Sequence, residues 1–199
     1  MDGLYVVRQE PTWRELEPEP DDEYDPDTQP KTVYALFGLA IYKANVLEHA
    51  LVNTLAIARI ITAEEQGELL IRDPWTQGFR DMMGKLIRRA EPYVSAYPEV
   101  VDDLTNSLKR RNFLVHHFWR ERIQEMITES SRARMCADLK ADCRLFTQTD
   151  ERLTARVFDP LARKRGITPE MIEAQYAAER REAMKRYEPA SFTGEEDPA

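Results

Sequence analysis

The chain has 199 residues, of which 42% are hydrophobic and 32% are charged, and its formal net charge at pH 7 is -8. These values predict one domain, or two at most, with a buried core, and they exclude collagen-like and fully disordered chains. No apolar run approaches the roughly 18 to 20 residues that cross a bilayer, and no secretory signal is evident. We therefore expect a soluble, cytoplasmic protein with no membrane partner.

The negative charge is concentrated in the first 30 residues. Residues 1–30 contain ten acidic residues against two arginines, together with several prolines, so they cannot bury enough apolar surface to offset the entropy of ordering. We predict a largely disordered acidic arm there, and a disordered tail over residues 189–199. Residues 31–188 have 26 Lys and Arg against 23 Asp and Glu, a net charge of +3, which permits RNA as a partner without requiring it.

Residues 31–188 are predicted to form one helical domain. Residues 31–61 are apolar around most of the circumference of a helix, which places that helix in the middle of a bundle. Further helices are predicted over residues 62–73, 76–89, 98–128, 132–165 and 168–187, and the helix over residues 132–165 is expected to break near residues 147–150 or at Pro160. The fold class is therefore all-α, an up-and-down bundle of about five to six helices.

Two of these helix starts carry capping signals. Thr62 is followed by Glu65 at the spacing of a capping box, and Thr168 precedes Pro169, which is favoured in the first turn of a helix. Both positions are therefore predicted as helix N-termini.

The residues that carry chemistry lie in residues 109–122, which contain five Lys and Arg, two of the three histidines and one acid. The predicted buried stripe of this helix leaves Arg111 at a position where an apolar residue is expected. An arginine there must be paired or face an aqueous cleft, and Glu48 is the most plausible partner. The stripe comprises Val101, Leu104, Leu108, Val115, Phe118 and Met126.

Arg111 and His116 are five residues apart, which separates them by about 140° around a helix. They cannot easily meet at one point on one helix. A cleft lined by two such helices, most simply from two subunits related by a two-fold axis, would bring them together.

Arg111, Asn112 and His116 resemble the motif of the HEPN superfamily, in which Arg, often followed by a polar residue, precedes His by a gap of four to six. The apolar helix around residues 37–49 is also similar to members of this group, and the resemblance covers roughly residues 31–165. It implies a helical homodimer that cleaves RNA without a metal or other cofactor. It also suggests a toxin or defence effector, with an antitoxin or regulatory protein as a further partner.

The resemblance assigns roles to the motif residues. His116 would move protons, Arg111 would hold the phosphate, and Asn112 would orient the phosphate or the imidazole, giving a 2',3'-cyclic phosphate and a 5'-hydroxyl. Phe118 stands where related toxins commonly carry a tyrosine that can be modified, so that mode of control is not expected here.

Six further residues are candidates for the same site. Asn45 and Glu48 are polar residues in an apolar helix and are predicted to support the cleft. No metal-ligand pattern is found, because Cys136 and Cys143 are accompanied by few histidines. The predicted substrate-binding residues are Lys109, Arg110, His117 and Arg120.

Two other interpretations remain open. The chain could be a non-catalytic helical interaction or regulatory module that retains the motif for packing or ligand binding, and the modest charge of residues 31–188 favours this. Alternatively, residues 1–30 could imitate a nucleic acid and occupy the protein's own basic cleft.

Overall fold

The computed structural model describes residues 30–70 and 73–187. Within these ranges the regular elements are helices and there is no β-strand, which confirms the all-α class and the helical bundle. The acidic arm and the tail predicted from the sequence lie outside the described residues, apart from Pro30. Residues 30–166 belong to one compact unit, and the last helix belongs to a second unit.

Helix α1 (Pro30–Gln66) is the central helix of the bundle and begins where predicted. The predicted boundary at Thr62 is wrong, because α1 continues through it and the Thr62 hydroxyl donates a hydrogen bond to the carbonyl of Ala58 (3.0 Å). The helix is followed by Gly67, whose φ of 66° suits a residue without a side chain. The buried residues of α1 recur at spacings of three and four, as Ala40, Ala44, Leu47 and Leu51 do.

Helix α1 is also long and apolar enough, by length and composition alone, to cross a membrane. An 18-residue window within it has a mean hydropathy of 1.4, and 56% of that window is buried inside the protein. Such burial by partner helices is the usual pattern of a core helix in a soluble protein.

Two short helices, α2 (Pro74–Gly78) and α3 (Met83–Val94), replace the single helix predicted over residues 76–89. The carboxylate of Asp73 accepts hydrogen bonds from the backbone N–H of Thr76 (3.0 Å) and from its hydroxyl (2.7 Å), which starts α2. A Cβ at Gly78 would lie 2.6 Å from Cγ1 of Val52, so only glycine lets α2 approach α1 this closely.

Helix α4 (Pro98–His116) begins where predicted, but it ends well before residue 128. His117 leaves the helical conformation (φ -126°, ψ -30°), and a short helix α5 (Phe118–Arg122) and a 3-10 turn (Ile123–Met126) follow it. The buried side of α4 and α5 is formed by Val100, Leu104, Ser107, Leu114 and Phe118.

The predicted stripe of α4 is therefore displaced by one residue at several positions. Val101 and Val115 are exposed, with relative exposures of 37% and 47%, while Val100 and Leu114 are buried. The arginine keeps its place in the corrected stripe, since Arg111 falls between Ser107 and Leu114 at spacings of four and three.

Helix α6 (Glu129–Leu153) packs against both α1 and α4. It continues through a π-helical turn (Thr154–Phe158) into α7 (Asp159–Lys164), so the break predicted near residues 147–150 does not occur. The π turn lies just before Pro160, whose ring would clash with the carbonyl of residue 156 in a regular α-helix. The hydroxyls of Ser107 and Thr149 are 3.0 Å apart and join α4 to α6 within the core.

The last helix, α8 (Pro169–Tyr187), has the predicted N-terminus. The Thr168 hydroxyl accepts a hydrogen bond from the backbone N–H of Met171 (3.3 Å), as the capping signal indicates.

Candidate functional site

Three sides of α4 meet different surroundings near its C-terminal end. Because successive residues of a helix are about 100° apart, Arg110 and Arg111 leave α4 in different directions. Arg110 contacts α6, and we call its side the α6 flank; Arg111 contacts α1, and we call its side the α1 flank. The side away from the core is the outer ridge, formed by Thr105, Lys109, Asn112 and His116.

Arg111 lies on the α1 flank and is paired there with Glu48, which is one of the two alternatives that the sequence left open, an ion pair or an aqueous cleft. Its Nε donates a hydrogen bond to Oε1 of Glu48 (3.0 Å), and the two side chains are 22% and 19% exposed. Its Nη1 donates to Oδ1 of Asn112 (3.4 Å). Its Nη2 has no hydrogen-bond partner among residues 30–70 and 73–187. The guanidinium is thus anchored on two sides and keeps one donor group for another ligand.

His116 is the last residue of α4 and is exposed on the outer ridge. Its imidazole makes no hydrogen bond with the described part of the chain, and its ring is 6.3 Å from that of His117, in an edge-to-face arrangement. The expected separation from Arg111 of about 140° around the helix applies, because both residues lie within α4. One copy of α4 therefore presents the two groups in different directions.

Asn45 is exposed and lies three residues before Glu48 on α1. That spacing puts the two side chains on neighbouring positions of the same helix surface. Of the predicted support residues, Glu48 contacts the motif directly, whereas Asn45 makes no hydrogen bond with residues 30–70 or 73–187.

Arg110 has a partner on the α6 flank that the sequence did not suggest. Its Nε and Nη2 donate to the two carboxylate oxygens of Asp142 (2.7 and 2.8 Å), which is buried in α6. This hydrogen bonding raises the pKa of Arg110. The guanidinium also lies 4.8 Å from the ring centroid of Phe113. Two parallel hydrogen bonds and a ring contact are the marks of a structural ion pair.

An open depression of about 610 Å³ lies beside this pair, between α4, α5 and α6. Its second guanidinium, from Arg122, donates to both carboxylate oxygens of Glu125 (2.9 and 2.8 Å) and to Oδ2 of Asp138 (2.7 Å). The hydrogen bond with Glu125 is the main cause that raises the pKa of Arg122 and lowers that of Glu125. The depression is therefore lined by cations that already have carboxylate partners.

The remaining predicted substrate-binding residues differ in whether they have partners within the chain. Arg120 donates from Nη2 to Nδ1 of His117 (2.6 Å), and Oε1 of Glu121 lies 3.3 Å from the same imidazole nitrogen. Lys109, in contrast, is exposed on the outer ridge and forms no ion pair within the described ranges. Lys109 is therefore the one of these four residues whose charge faces solvent without a partner in those ranges.

The site thus joins Glu48, Arg111 and Asn112 directly, with Lys109 and His116 on the adjoining ridge. Arg110 turns to the other flank. Sequence reasoning missed Asp142 and Asp138; their spacing of four residues places both on one side of α6, which was the available signal. In the part of the chain that the structure describes, no group of three or more His, Cys, Asp or Glu could hold a metal ion.

Comparison of the chain with protein-family models, with curated proteins and with solved structures finds no match.

Proposed function

We propose that this protein is a HEPN-like, metal-independent endoribonuclease that acts as a cytoplasmic homodimer and serves as a toxin or defence effector. The observation that supports this most strongly is Arg111. It lies in the inward-facing stripe of α4 and is partly exposed, and its guanidinium is held by Glu48 and Asn112 with Nη2 available to a ligand. A guanidinium that is fixed in place suits the recognition of a phosphate.

The chemistry requires a group that moves protons and a group that stabilises charge. The RNA 2'-hydroxyl attacks the adjacent phosphorus, so that the 2'-O–P bond forms and the P–O5' bond breaks. An imidazole can accept the proton of the 2'-hydroxyl near neutral pH, and a second imidazole can donate a proton to the departing 5'-oxygen. In this proposal His116 and its copy in a second subunit have these roles, and Arg111 stabilises the charge on the phosphate.

A second subunit supplies the geometry that one chain lacks. Arg111 and His116 diverge by about 140° on α4, so two copies of α4 facing each other across a two-fold axis would pair the arginine of one copy with the histidine of the other. Asn112 lies between them on the helix surface and already contacts Arg111 (3.4 Å). Its amide would orient the phosphate or the imidazole.

The test is cleavage of a 5'-labelled single-stranded RNA by the full chain in EDTA. We expect products that end in a 2',3'-cyclic phosphate, and we expect His116→Ala and Arg111→Ala each to abolish cleavage while the circular dichroism spectrum keeps its helical form. His49→Ala is the matched control, because this imidazole packs against the ring of Phe79 (centroids 5.0 Å apart) and has no role in the proposed site. RNA that stays intact with the wild-type chain, or equal losses in all three variants, would exclude the proposal.

The rival function, a non-catalytic interaction or regulatory module, is favoured by one observation. The ion pair between Arg111 and Glu48 (3.0 Å) already gives Arg111 a structural reason to be present. In that case Arg111→Ala lowers the melting temperature, and no RNA cleavage is seen with the wild type. An antitoxin or other regulatory protein as partner fits either function.

A further inference from the structure

Helices α3 and α4 form a hairpin in which basic and acidic residues lie at different ends. Residues 80–89 contain four Lys and Arg against one Asp, and residues 109–111 are all basic. Residues 91–108, between them, contain four Asp and Glu and no Lys or Arg. Since α3 and α4 are joined by only residues 95–97, the basic stretches lie at the end of the hairpin far from the connection. That end is the one that carries Arg111.

Gly84 shows how α3 lies along α4. A Cβ at Gly84 would be 3.5 Å from Cδ2 of Leu108, so the helices touch there. Gly84 precedes the end of α3 by ten residues and Leu108 follows the start of α4 by ten, as expected of antiparallel neighbours. Arg88 lies one turn from Gly84 on the same side of α3, and Lys109 follows Leu108 on the outer ridge. Arg88 and Lys109 thus border one surface beside this contact, and Arg80 precedes the start of α3 at the same end of the hairpin.

Some of these cations are engaged within the chain. Asp81 is held by Lys85 (2.6 Å) and Arg89 (2.7 Å), and the hydrogen bond with Lys85 is the main cause that lowers the pKa of Asp81. Three others, Arg80, Arg88 and Lys109, are exposed and form no hydrogen bond or ion pair with residues 30–70 or 73–187. None of the three is within ion-pairing distance of a carboxylate in those ranges.

We propose that Arg80, Arg88 and Lys109 form the surface that binds the sugar-phosphate backbone of single-stranded RNA and leads it to Arg111. The assignment rests on the proposed nuclease function. Lys109 and Asn112 are three residues apart on the outer ridge, so a strand bound at Lys109 passes next to the amide that contacts Arg111. The binding surface therefore lies on the α3 side of the motif, whereas Arg110, on the α6 flank, is occupied by Asp142.

RNA fits this surface better than an acidic peptide does, because the row of cations continues into Asn112 and His116. Those side chains offer an amide and an imidazole, which can hydrogen bond to phosphate oxygens and to a 2'-hydroxyl as well as to a carboxylate. An acidic peptide offers carboxylates but no 2'-hydroxyl, so it can use only part of that continuation.

The experiment measures binding apart from cleavage. The full chain carrying His116→Ala is titrated against a fluorescent 12-nucleotide oligouridylate at several KCl concentrations, and anisotropy gives the affinity. Arg80→Gln with Arg88→Gln is compared with Arg144→Gln and Arg163→Gln, a pair of exposed arginines on α6 and α7 whose replacement removes the same charge. A poly-glutamate peptide is titrated in parallel.

We expect the Arg80 and Arg88 pair to weaken RNA binding about tenfold at low salt and to reduce the slope of log affinity against log salt by about 1.4, since each phosphate contact on a single strand contributes about 0.7. The control pair is expected to change affinity less than about twofold. Equal behaviour of the two pairs would overturn the assignment. Poly-glutamate that binds as tightly as RNA, with the same loss in the Arg80 and Arg88 pair, would overturn it in favour of an acidic partner.

A cleavage assay of the chain with an intact His116 distinguishes failure of the nuclease proposal from failure of the proposed RNA-binding surface. If RNA is cut in EDTA but the two arginine pairs bind alike, the nuclease proposal stands and the surface is wrong. If RNA is never cut but the Arg80 and Arg88 pair still binds more weakly than the control pair, the surface stands and the nuclease is wrong.

Discussion

Arg110 and Arg111 are consecutive in the chain, yet they belong to different parts of the molecule. Arg110 forms two short hydrogen bonds with Asp142, which is only 4% exposed. Arg111 makes a single contact with Glu48 at 3.0 Å and a longer one with Asn112 at 3.4 Å, and it keeps Nη2 available. On the α6 flank, Arg110 is thus engaged in a structural ion pair. On the α1 flank, Arg111 is held in place but keeps one donor group without a partner in the described residues.

This difference shows that a run of cations in a helical sequence is not one site. A turn of about 100° per residue sends neighbouring charges to different partners, so each must be judged by the carboxylate that it meets. In residues 109–111 the three cations have three surroundings: Lys109 faces solvent, Arg110 meets α6 and Arg111 meets α1. Only Lys109 and Arg111 then contribute to the candidate site.

The largest effect on stability is expected from breaking the α6 flank. Asp142→Ala leaves Arg110 next to Phe113 without its carboxylate, which is expected to lower the free energy of unfolding by about 2 kcal/mol, less than for a fully buried pair because Arg110 is 37% exposed and can reach water. Urea denaturation followed by circular dichroism measures this change. Glu151→Ala, an exposed acid on the same helix, is the control and should change stability by less than about 0.5 kcal/mol. Equal effects would contradict the structural role of the pair.

A smaller effect is expected on the α1 flank. Glu48→Gln keeps the shape of the side chain but removes the charge that holds Arg111, so we expect a loss of about 1 kcal/mol, between the values for exposed and buried pairs. We also expect RNA affinity, measured by anisotropy, to rise severalfold, since the guanidinium is no longer neutralised. Asn45→Ala, one turn earlier on α1, should do neither. Weaker RNA binding by Glu48→Gln would show that Glu48 supports the ligand rather than restrains Arg111.

The smallest effect on stability is expected at Asp150 of α6, which has no arginine partner in the described part of the chain. Burial raises the pKa of Asp150, with a further contribution from Glu151. Because the folded pKa is raised, the protonated carboxyl stabilises the fold at low pH, and this contribution is lost as the pH rises through the unfolded and then the folded pKa. Asp150→Asn should therefore raise the melting temperature at pH 7 by about 1–2 °C, with no gain in acid. A melting temperature at pH 7 that stays unchanged or falls in Asp150→Asn would show that the ionised Asp150 does not destabilise the folded protein.

The sequence allowed the correct prediction of features that depend on local chemistry. The start of α1, the start of α4 at Pro98 and the cap of α8 at Thr168 follow from capping residues and periodicity. The pairing of Arg111 with Glu48 was also predictable, because both are charged residues in otherwise apolar stripes, and each needs a partner.

Features that depend on tertiary contacts were not predictable in this way. Val100 and Val101 are equally apolar, so periodicity alone could not choose which of them faces the core. Thr62 looked like a cap because the sequence cannot show that α1 continues to pack beyond it. The pair between Arg110 and Asp142 depends on the packing of α4 against α6, which follows it later in the chain.

The central claim is that Arg111, and not Arg110, acts on the RNA. The most direct measurement compares the rates at which wild type, Arg110→Gln and Arg111→Gln cleave a labelled single-stranded RNA in EDTA, at a temperature where all three chains are folded. We expect Arg111→Gln to be slower by about 100- to 1,000-fold, as for loss of one group that stabilises the transition state, and Arg110→Gln to stay within about threefold of wild type. Equal losses in the two variants, or full activity of Arg111→Gln, would contradict the account.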